Sequence, residues 1–173
     1  MRIFVFIAAA VTINGRDVFK SLGVDLKELY SEPDGTFPNH HPDPTVEENM
    51  LDLIAEMKTG KYDVGVAFDG DADRVGVVDE TGDIIWADQL MAIFLPEIIE
   101  NGEDILFDVK CSQALEDMIN RYGGNPVMWK TGHSLIKQKM GELGCKLGGE
   151  MSGHIFFADD YFGYDDALYV AAR

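Results

Sequence analysis

The stretch AFDGDADRVGVVDE, residues 67–80, places three aspartates two residues apart and follows them directly with Arg74. Apolar runs on either side, residues 64–68 and 75–78, predict two β-strands, and Gly70 makes the turn between them permissive. Close-set carboxylates repel one another, so a turn that collects them indicates a bound cation. The candidate ligands are Asp69, Asp71 and Asp73.

Magnesium is the cation that fits this turn best. It prefers oxygen ligands and completes its shell with water or substrate phosphate, and the planar guanidinium of Arg74 could then grip two phosphate oxygens. A calcium loop would use Glu80 as its twelfth residue, but it needs glycine where Arg74 stands and helices where the flanks are β-type. A solvated acidic turn without a ligand leaves the clustering unexplained. We favour Mg²⁺ and, with it, phosphoryl transfer.

The composition is that of a globular protein with a strong negative charge. Apolar residues make up 46%, and 31 Asp and Glu against 14 Lys and Arg give a formal net charge of −17. Nucleic acid and anionic membranes require basic surface, so neither is expected as a partner. The two cysteines, Cys111 and Cys145, lack CxxC spacing and predict buried thiols, which fits a reducing cytoplasm.

Short β-rich runs alternate with helical patterns along the chain, which predicts an α/β layered fold with mixed sheets flanked by helices. Residues 3–11 predict a first core strand, although a secretory signal or a mis-started or truncated reading frame would also give such a run. Thr45 and Glu48, three apart, predict a capping box for a helix whose apolar face includes Leu51.

A composition shift at DETGD, residues 79–83, predicts a tight hairpin or a domain boundary. We therefore expect two α/β domains. Residues 1–80 form a metal-binding domain with an atypical N-terminus. Residues 81–173 form a sugar-binding domain that ends inside a predicted helix, as a truncation would produce. Within it, Ser112 is predicted to cap a helix that carries Tyr122 on its inward face.

Three further groups of polar residues follow predicted strands. Lys110 stands just beyond an apolar strand, where α/β folds present functional groups to a crevice. His133, in WKTGHS, is either an ordinary capping or core histidine or an acid–base group, and Ser134 is predicted to be a helix N-cap. In NHHPDP, the adjacent His40 and His41 are poorly spaced for one ion, which favours a structural loop.

The stretch GGEMSGH, residues 148–154, combines glycines with an acceptor, a hydroxyl and an imidazole, supplied by Glu150, Ser152 and His154. The glycines permit an unusual backbone. This combination suits the recognition of sugar hydroxyls, although a plain turn with incidental polar residues would look the same.

Taken together, these residues resemble the α-D-phosphohexomutase family, specifically its phosphomannomutase/phosphoglucomutase branch. The resemblance covers parts of the second and third family domains and runs in family order from about residue 21 to the end. The matching stretches are EPDGTFPNHHPDP, AFDGDADRVGVVD, FDVKCS, MWKTGHSLIK, GEMSGHIFF and FGYDDALYVAAR.

The resemblance implies that phosphate moves between the 1- and 6-positions of a hexose phosphate, through a hexose bisphosphate and a phosphoserine on the enzyme. It leaves open whether the hexose is mannose or glucose. The residues implied are Asp69, Asp71 and Asp73 for Mg²⁺, Arg74 for the phosphoryl group, Lys110 and His133 for acid–base chemistry, and Glu150, Ser152 and His154 for the sugar hydroxyls.

Two family motifs are not found in these 173 residues. They are the TASHNP-like loop that carries the phosphoserine and the RxSGTEP-like phosphate-binding loop of the fourth domain. We therefore expect a part of an isomerase that binds Mg²⁺, hexose phosphate and hexose bisphosphate but needs the missing domains to complete its cycle. The alternatives are a non-catalytic sugar-phosphate and Mg²⁺ binding module, and a Mg²⁺ phosphatase with an aspartate nucleophile, which the DGDADR spacing fits less well.

Overall fold

The computed structural model describes residues 2–6, 12–32 and 34–173, with side chains in 15–32 and 34–173. The chain forms two compact units, Met1–Ile85 with Ala167–Arg173 and Trp86–Asp166. Each contains a mixed β-sheet with helices packed on it, which confirms the predicted α/β fold class. Within the described residues, no helix has both the length and the apolar character needed to cross a membrane.

The first unit is built on a five-stranded sheet in the order β2-β1-β3-β4-β5. Strand β1 is parallel to β2 and β3, and the β3–β4 and β4–β5 pairs are antiparallel. The strands are β1 (Arg2–Phe6), β2 (Asp25–Leu29), β3 (Val64–Phe68), β4 (Val75–Asp79) and β5 (Ile84–Ile85). The helices are α1 (Thr12–Ser21), α2 (Leu51–Met57) and α6 (Ala167–Ala172), with a 3₁₀ turn at Glu47–Met50.

The hairpin predicted around the aspartates is confirmed. Phe68 pairs with Val75, so residues 69–74 form the turn between β3 and β4. Both strands are largely buried because helix α2 packs on them. The core beneath this hairpin consists of Met50, Leu53, Met57, Ala67 and Val78.

A loop crosses the sheet at Gly76, in the middle of β4. A Cβ placed there would lie 2.8 Å from Pro44 Cβ and 3.0 Å from Met50 Cε. Only a residue without a side chain allows this approach. The glycine therefore lets the segment around Pro44, including Asp43, lie against the strand that starts at the aspartate turn.

The second unit has a four-stranded sheet in the order β7-β6-β8-β9. Strand β6 is parallel to β7 and β8, and the β8–β9 pair is antiparallel. The strands are β6 (Asp104–Asp108), β7 (Asn125–Trp129), β8 (Leu147–Gly149) and β9 (Ile155–Phe157). The helices are α3 (Ala87–Ile98), α4 (Gln113–Arg121) and α5 (His133–Leu143).

Helices cover both faces of this sheet. Leu106 and Phe156 belong to the core under α5, together with Ile136. On the opposite face, Phe157 packs edge-to-face on Phe94 of α3, with ring centroids 5.0 Å apart. Consecutive residues of β9 thus face two different cores, as expected for a three-layer α/β/α sandwich.

The strand order places a topological switch point at β6. The chain leaves β6 for β7 on one side and then crosses back to β8 on the other. The carboxyl ends of these three parallel strands meet at one edge of the sheet, which is where open α/β sheets bind ligands. The loops that follow β6, β7 and β8 are therefore the candidate functional loops.

Several local predictions were wrong. Thr45 and Glu48 form no capping box, because the Thr45 hydroxyl donates to Asp43 Oδ1 at 2.7 Å and the helix has Met50 at its N-cap. Leu51 and Tyr122 were expected to face inward but are 54% and 42% exposed. Ser134 lies inside α5, whose N-cap is Gly132, and so is not the cap.

Of the first predicted strand, residues 3–11, the part up to Phe6 belongs to β1, and residues 7–11 lie outside the described residues. In α4, Ser112 holds the N-cap position as predicted, but its side chain makes no capping hydrogen bond. Its backbone N–H instead donates to Asp88 Oδ2 at 2.9 Å.

Candidate functional site

Asp69 organises the aspartate turn of the first unit. Its side chain is 2% exposed, and Oδ1 accepts hydrogen bonds from the backbone N–H groups of Asp73 and Arg74, both at 3.1 Å. Oδ2 accepts from Arg74 Nε at 2.7 Å. Ala72, at φ 59°, adopts the left-handed conformation that closes the turn. One buried carboxylate thus fixes both the backbone and the arginine.

Arg74 is held between two carboxylates. Besides Asp69, its Nη1 donates to Asp43 Oδ1 at 3.3 Å. Although partial burial by itself would lower the pKa of Arg74, these acidic neighbours raise it overall. Burial would likewise raise the pKa of Asp43, but hydrogen bonds from Thr45 and the charge of Arg74 lower it overall. The guanidinium plane is therefore fixed beside the turn.

The turn brings the three predicted metal ligands together. Asp69, Asp71 and Asp73 each offer a carboxylate oxygen, and these oxygens lie within 4.8 Å of one another. Such an oxygen set suits a hard divalent cation. Glu80 lies past the end of β4, about 16 Å from the turn at 3.3 Å per residue, and the flanks are strands. A calcium helix–loop–helix site is therefore excluded.

In the second unit, a buried carboxylate connects the candidate loops. Asp108, at the end of β6, is 0% exposed. Its Oδ2 accepts from the Thr131 hydroxyl at 2.8 Å, and its Oδ1 accepts from the Met151 N–H at 3.1 Å. The Cys111 thiol also donates to Oδ1, at 3.3 Å. Asp108 thereby ties together the loops after β6, β7 and β8.

A second buried carboxylate joins the last two of these loops. Glu150, directly after β8, is 2% exposed, and its Oε1 accepts a hydrogen bond from the Gly132 N–H. Gly132 has φ 135°, in the region that favours glycine, and directly precedes His133 at the start of α5. The two predicted site residues Glu150 and His133 are thus neighbours.

Asp165 brings the two predicted histidines into one cluster, which also includes Lys137. Its Oδ2 lies 3.0 Å from His133 Nδ1 and 3.1 Å from His154 Nδ1, and its Oδ1 accepts from Lys137 Nζ at 2.8 Å. The imidazoles stack with centroids 5.2 Å apart and an interplanar angle of 30°. The Asp165 side chain is only 6% exposed.

The remaining predicted residues lie on the same loops. Lys110 is exposed two residues beyond Asp108, and Ser152 is half-buried in the turn between β8 and β9. Sequence reasoning missed Asp108, Asp165 and Lys137. For Asp108, an acid ending a buried apolar strand was an available signal. Asp165 and Lys137 carry no local signal, since Asp165 contacts His133 from 32 residues away.

The cysteines do not take part in this chemistry. Cys111 and Cys145 are both buried and free, as predicted. Burial and the neighbouring Asp108 raise the pKa of Cys111, and burial raises that of Cys145 to about 11. Both thiols therefore stay protonated at neutral pH and are poor nucleophiles.

Two family models match nearly the whole chain. The model described as phosphoglucomutase/phosphomannomutase, alpha/beta/alpha domain II, matches residues 7–82. The corresponding domain III model matches residues 86–173. The first match ends just before β5, and the second begins just before α3.

Curated proteins and solved structures agree with this assignment. The chain is 56% identical over 158 residues to a phosphomannomutase/phosphoglucomutase of Pseudomonas aeruginosa, covering 90% of this chain and 34% of that protein. It is 48% identical to a phosphoglucomutase of Neisseria gonorrhoeae, with the same coverage.

A crystal structure of a phosphoglucomutase/phosphomannomutase family protein from Burkholderia thailandensis matches with a TM-score of 0.94 and 46% identity, covering 99% of this chain and 38% of that one. The chain thus spans about one third of the length of the curated relatives it matches. The predicted resemblance is confirmed: the chain belongs to the phosphoglucomutase/phosphomannomutase family and contains its second and third α/β/α domains.

Proposed function

We propose that these residues form the metal-holding and sugar-holding parts of a phosphohexomutase, which interconverts the 1- and 6-phosphates of mannose, glucose or both. The observation that carries this proposal is the aspartate turn, where three carboxylate oxygens lie within 4.8 Å beside a fixed guanidinium. The names of the relatives supply the reaction class, since they are phosphomannomutases and phosphoglucomutases.

Mg²⁺ is the ion we assign to Asp69, Asp71 and Asp73. The donor set fits, because Mg²⁺ binds few carboxylates and keeps positions for water or phosphate. When bound, it would stabilise the negative charge on a phosphoryl group. Arg74, anchored through Nε to Asp69 and through Nη1 to Asp43, is assigned to the oxygens of the same phosphoryl group.

The second unit is assigned to the sugar. We place Lys110 and His133 at the reacting hydroxyl as acid–base groups. Glu150, Ser152 and His154 are assigned to the other hydroxyls. A carboxylate can accept a hydrogen bond from a sugar hydroxyl, and a hydroxyl or an imidazole can either accept from it or donate to it. The buried Asp108 and the Gly132–Glu150 hydrogen bond would hold these groups without occupying the loop surface.

We propose further that these 173 residues alone bind but do not complete the cycle, because they contain no phosphoserine-type loop. Incubation with mannose 1-phosphate, Mg²⁺ and a hexose bisphosphate should give no multiple-turnover conversion of mannose 1-phosphate to mannose 6-phosphate. Robust turnover would show that the missing motifs are dispensable. Binding without turnover, whatever is added, would favour the alternative of a non-catalytic sugar-phosphate module.

Calorimetric titration with Mg²⁺ tests the metal assignment. Asp71→Asn should weaken binding at least tenfold, because it removes one of the three carboxylate ligands. Asp71 is the exposed one of the three, so this change disturbs the fold least. Glu80→Gln is the matched control: it removes one exposed charge from the same strand pair and should leave the affinity within about twofold. Equal weakening by both variants would indicate only general attraction of a cation to an acidic surface.

A cytoplasmic location and the absence of nucleic-acid or membrane partners complete the proposal. The formal net charge of −17 and the two free, buried cysteines support them. The remaining domains of a full-length enzyme are the partners we propose. Reconstitution of turnover by adding them would test this assignment.

A further inference from the structure

The charge state of Asp165 is set by its lysine neighbour. An ammonium group can only donate hydrogen bonds, so Asp165 Oδ1 must accept from Lys137. Although burial by itself would raise the pKa of Asp165, hydrogen bonds from Lys137 and His133 lower it overall. Asp165 is therefore a carboxylate at neutral pH, and Oδ2 is an acceptor as well.

An acceptor opposite Nδ1 selects one tautomer of a neutral imidazole. Such a ring carries one N–H and one lone pair, and the hydrogen bond made by one nitrogen decides which nitrogen holds the proton. Asp165 Oδ2 makes this hydrogen bond with Nδ1 of His133, at 3.0 Å. His133 then carries the proton on Nδ1 and the lone pair on Nε2. Nδ1 of His154 lies 3.1 Å from the same oxygen but outside hydrogen-bond geometry, so its tautomer is not assigned in this way.

We propose that Asp165 is a positioning residue that holds His133 as the Nδ1–H tautomer, so that Nε2 of this ring is the atom that exchanges protons. Asp165 is itself buried, and its other oxygen accepts from Lys137 at 2.8 Å. The ring of His133 also stacks on that of His154, with centroids 5.2 Å apart. The carboxylate and the stacked ring together fix the orientation of His133.

This inference deepens the proposed function, since the use of Nε2 in proton transfer rests on it. The tautomer itself does not depend on it. A failure of Mg²⁺ or sugar-phosphate binding would overturn the proposed function and leave the tautomer assignment standing. If Mg²⁺ and sugar phosphate bind but the tautomer differs from the one assigned, only the positioning role of Asp165 is overturned.

The test is ¹⁵N–¹H correlation spectroscopy of the imidazole rings in the whole chain at about pH 8, above the reference histidine pKa of about 6.5. The chain has four histidines, and the variants His133→Gln and His154→Gln assign two of them. We expect a protonated-type shift for Nδ1 and a non-protonated shift for Nε2 of His133. An Nε2–H tautomer of His133 in the unmodified chain would overturn the proposal.

Two variants of the cluster sharpen the result. Asp165→Asn places an amide that can donate opposite Nδ1 of His133, and we expect the Nδ1–H signal of this ring to be lost. Lys137→Met leaves Oδ2 in place and should preserve that signal. An unchanged His133 tautomer in a folded Asp165→Asn protein would overturn the proposal. His40 and His41, in the other unit, serve as internal references, and the spectrum of the unmodified chain decides the matter if a variant does not fold.

Discussion

The aspartate turn and the turn at residues 150–154 occupy the same place in two similar sheets. In each unit, a central strand is flanked by two parallel strands, and one of these turns back into an antiparallel neighbour. The aspartate turn connects β3 to β4, and the second turn connects β8 to β9. Both candidate groups of residues thus stand at the same topological position, with different chemistry.

The two turns differ in where their support comes from. In the aspartate turn, Asp69 bonds to residues four and five positions away. Two contacts come from distant segments, Asp43 with Arg74 and the Ala167 N–H, which donates to the Ala72 carbonyl at 3.1 Å. In the second turn, Glu150 contacts a residue 18 positions away and Met151 one 43 positions away. The carboxylate that organises the aspartate turn thus lies within the turn itself, whereas the second turn also depends on a carboxylate from another loop, that of Asp108.

The largest effect should come from Asp69→Asn. The amide would place a donor against Arg74 Nε, and a guanidinium has no acceptor to offer. We expect the free energy of unfolding to fall by about 3 kcal/mol, as for the loss of a charged hydrogen bond at a buried site. Urea unfolding measures this. Asp71→Asn is the control and should change stability by less than about 0.5 kcal/mol; equal losses would show that the turn is not organised by Asp69.

A smaller loss is expected from Asp108→Asn in the second unit. Asn can still accept from the Met151 N–H, and the Thr131 hydroxyl can turn from donor to acceptor. The free energy of unfolding should therefore fall by only about 1–2 kcal/mol. Hydrogen exchange should show increased opening of the loops after β7 and β8. If those loops keep their protection, Asp108 does not connect them.

These two acids also show what the sequence could predict. The β3–β4 hairpin and the clustering of three carboxylates at its turn could be predicted because alternation, turn residues and aspartate spacing all lie within residues 64–80. The capping box at Thr45 failed because its hydroxyl bonds to Asp43 instead. Asp165 could not be predicted, because its role depends on the packing of a helix 32 residues earlier in the chain.

A side chain at Gly76 should displace the segment around Pro44, which carries Asp43 and so helps to hold Arg74 beside the aspartate turn. Ala would press on Pro44 and Met50, so Gly76→Ala should lower the free energy of unfolding by about 1–2 kcal/mol. Gly141→Ala is the matched control: Gly141 lies in α5 and has no neighbour within 4 Å of a Cβ. It should raise stability by about 0.5–1 kcal/mol. A neutral or stabilising Gly76→Ala would contradict the close crossing.

The smallest expected effect is the pH dependence contributed by Asp165. Its pKa is lowered in the folded state, so its ionised form stabilises the fold above the unfolded-state pKa of about 3.9. That contribution is lost as the pH falls through the folded-state pKa. The unfolding free energies of the unmodified chain and Asp165→Asn should differ by about 1 kcal/mol near neutral pH and converge below about pH 4. A difference that stays constant down to pH 2 would argue against this ion pair.

Paramagnetic broadening by Mn²⁺ tests the central claim most directly, because it locates the metal within the acidic surface. Mn²⁺ takes the same oxygen ligands as Mg²⁺. In a ¹⁵N-labelled chain, substoichiometric Mn²⁺ should broaden the amide signals of residues 69–74 first and those of the acidic turn at residues 79–83 later, since β4 separates the two by about 16 Å. Excess Mg²⁺ should reverse the broadening, and Asp71→Asn should weaken it. Broadening centred on residues 79–83, or spread evenly over the acidic surface, would contradict a metal site at Asp69, Asp71 and Asp73.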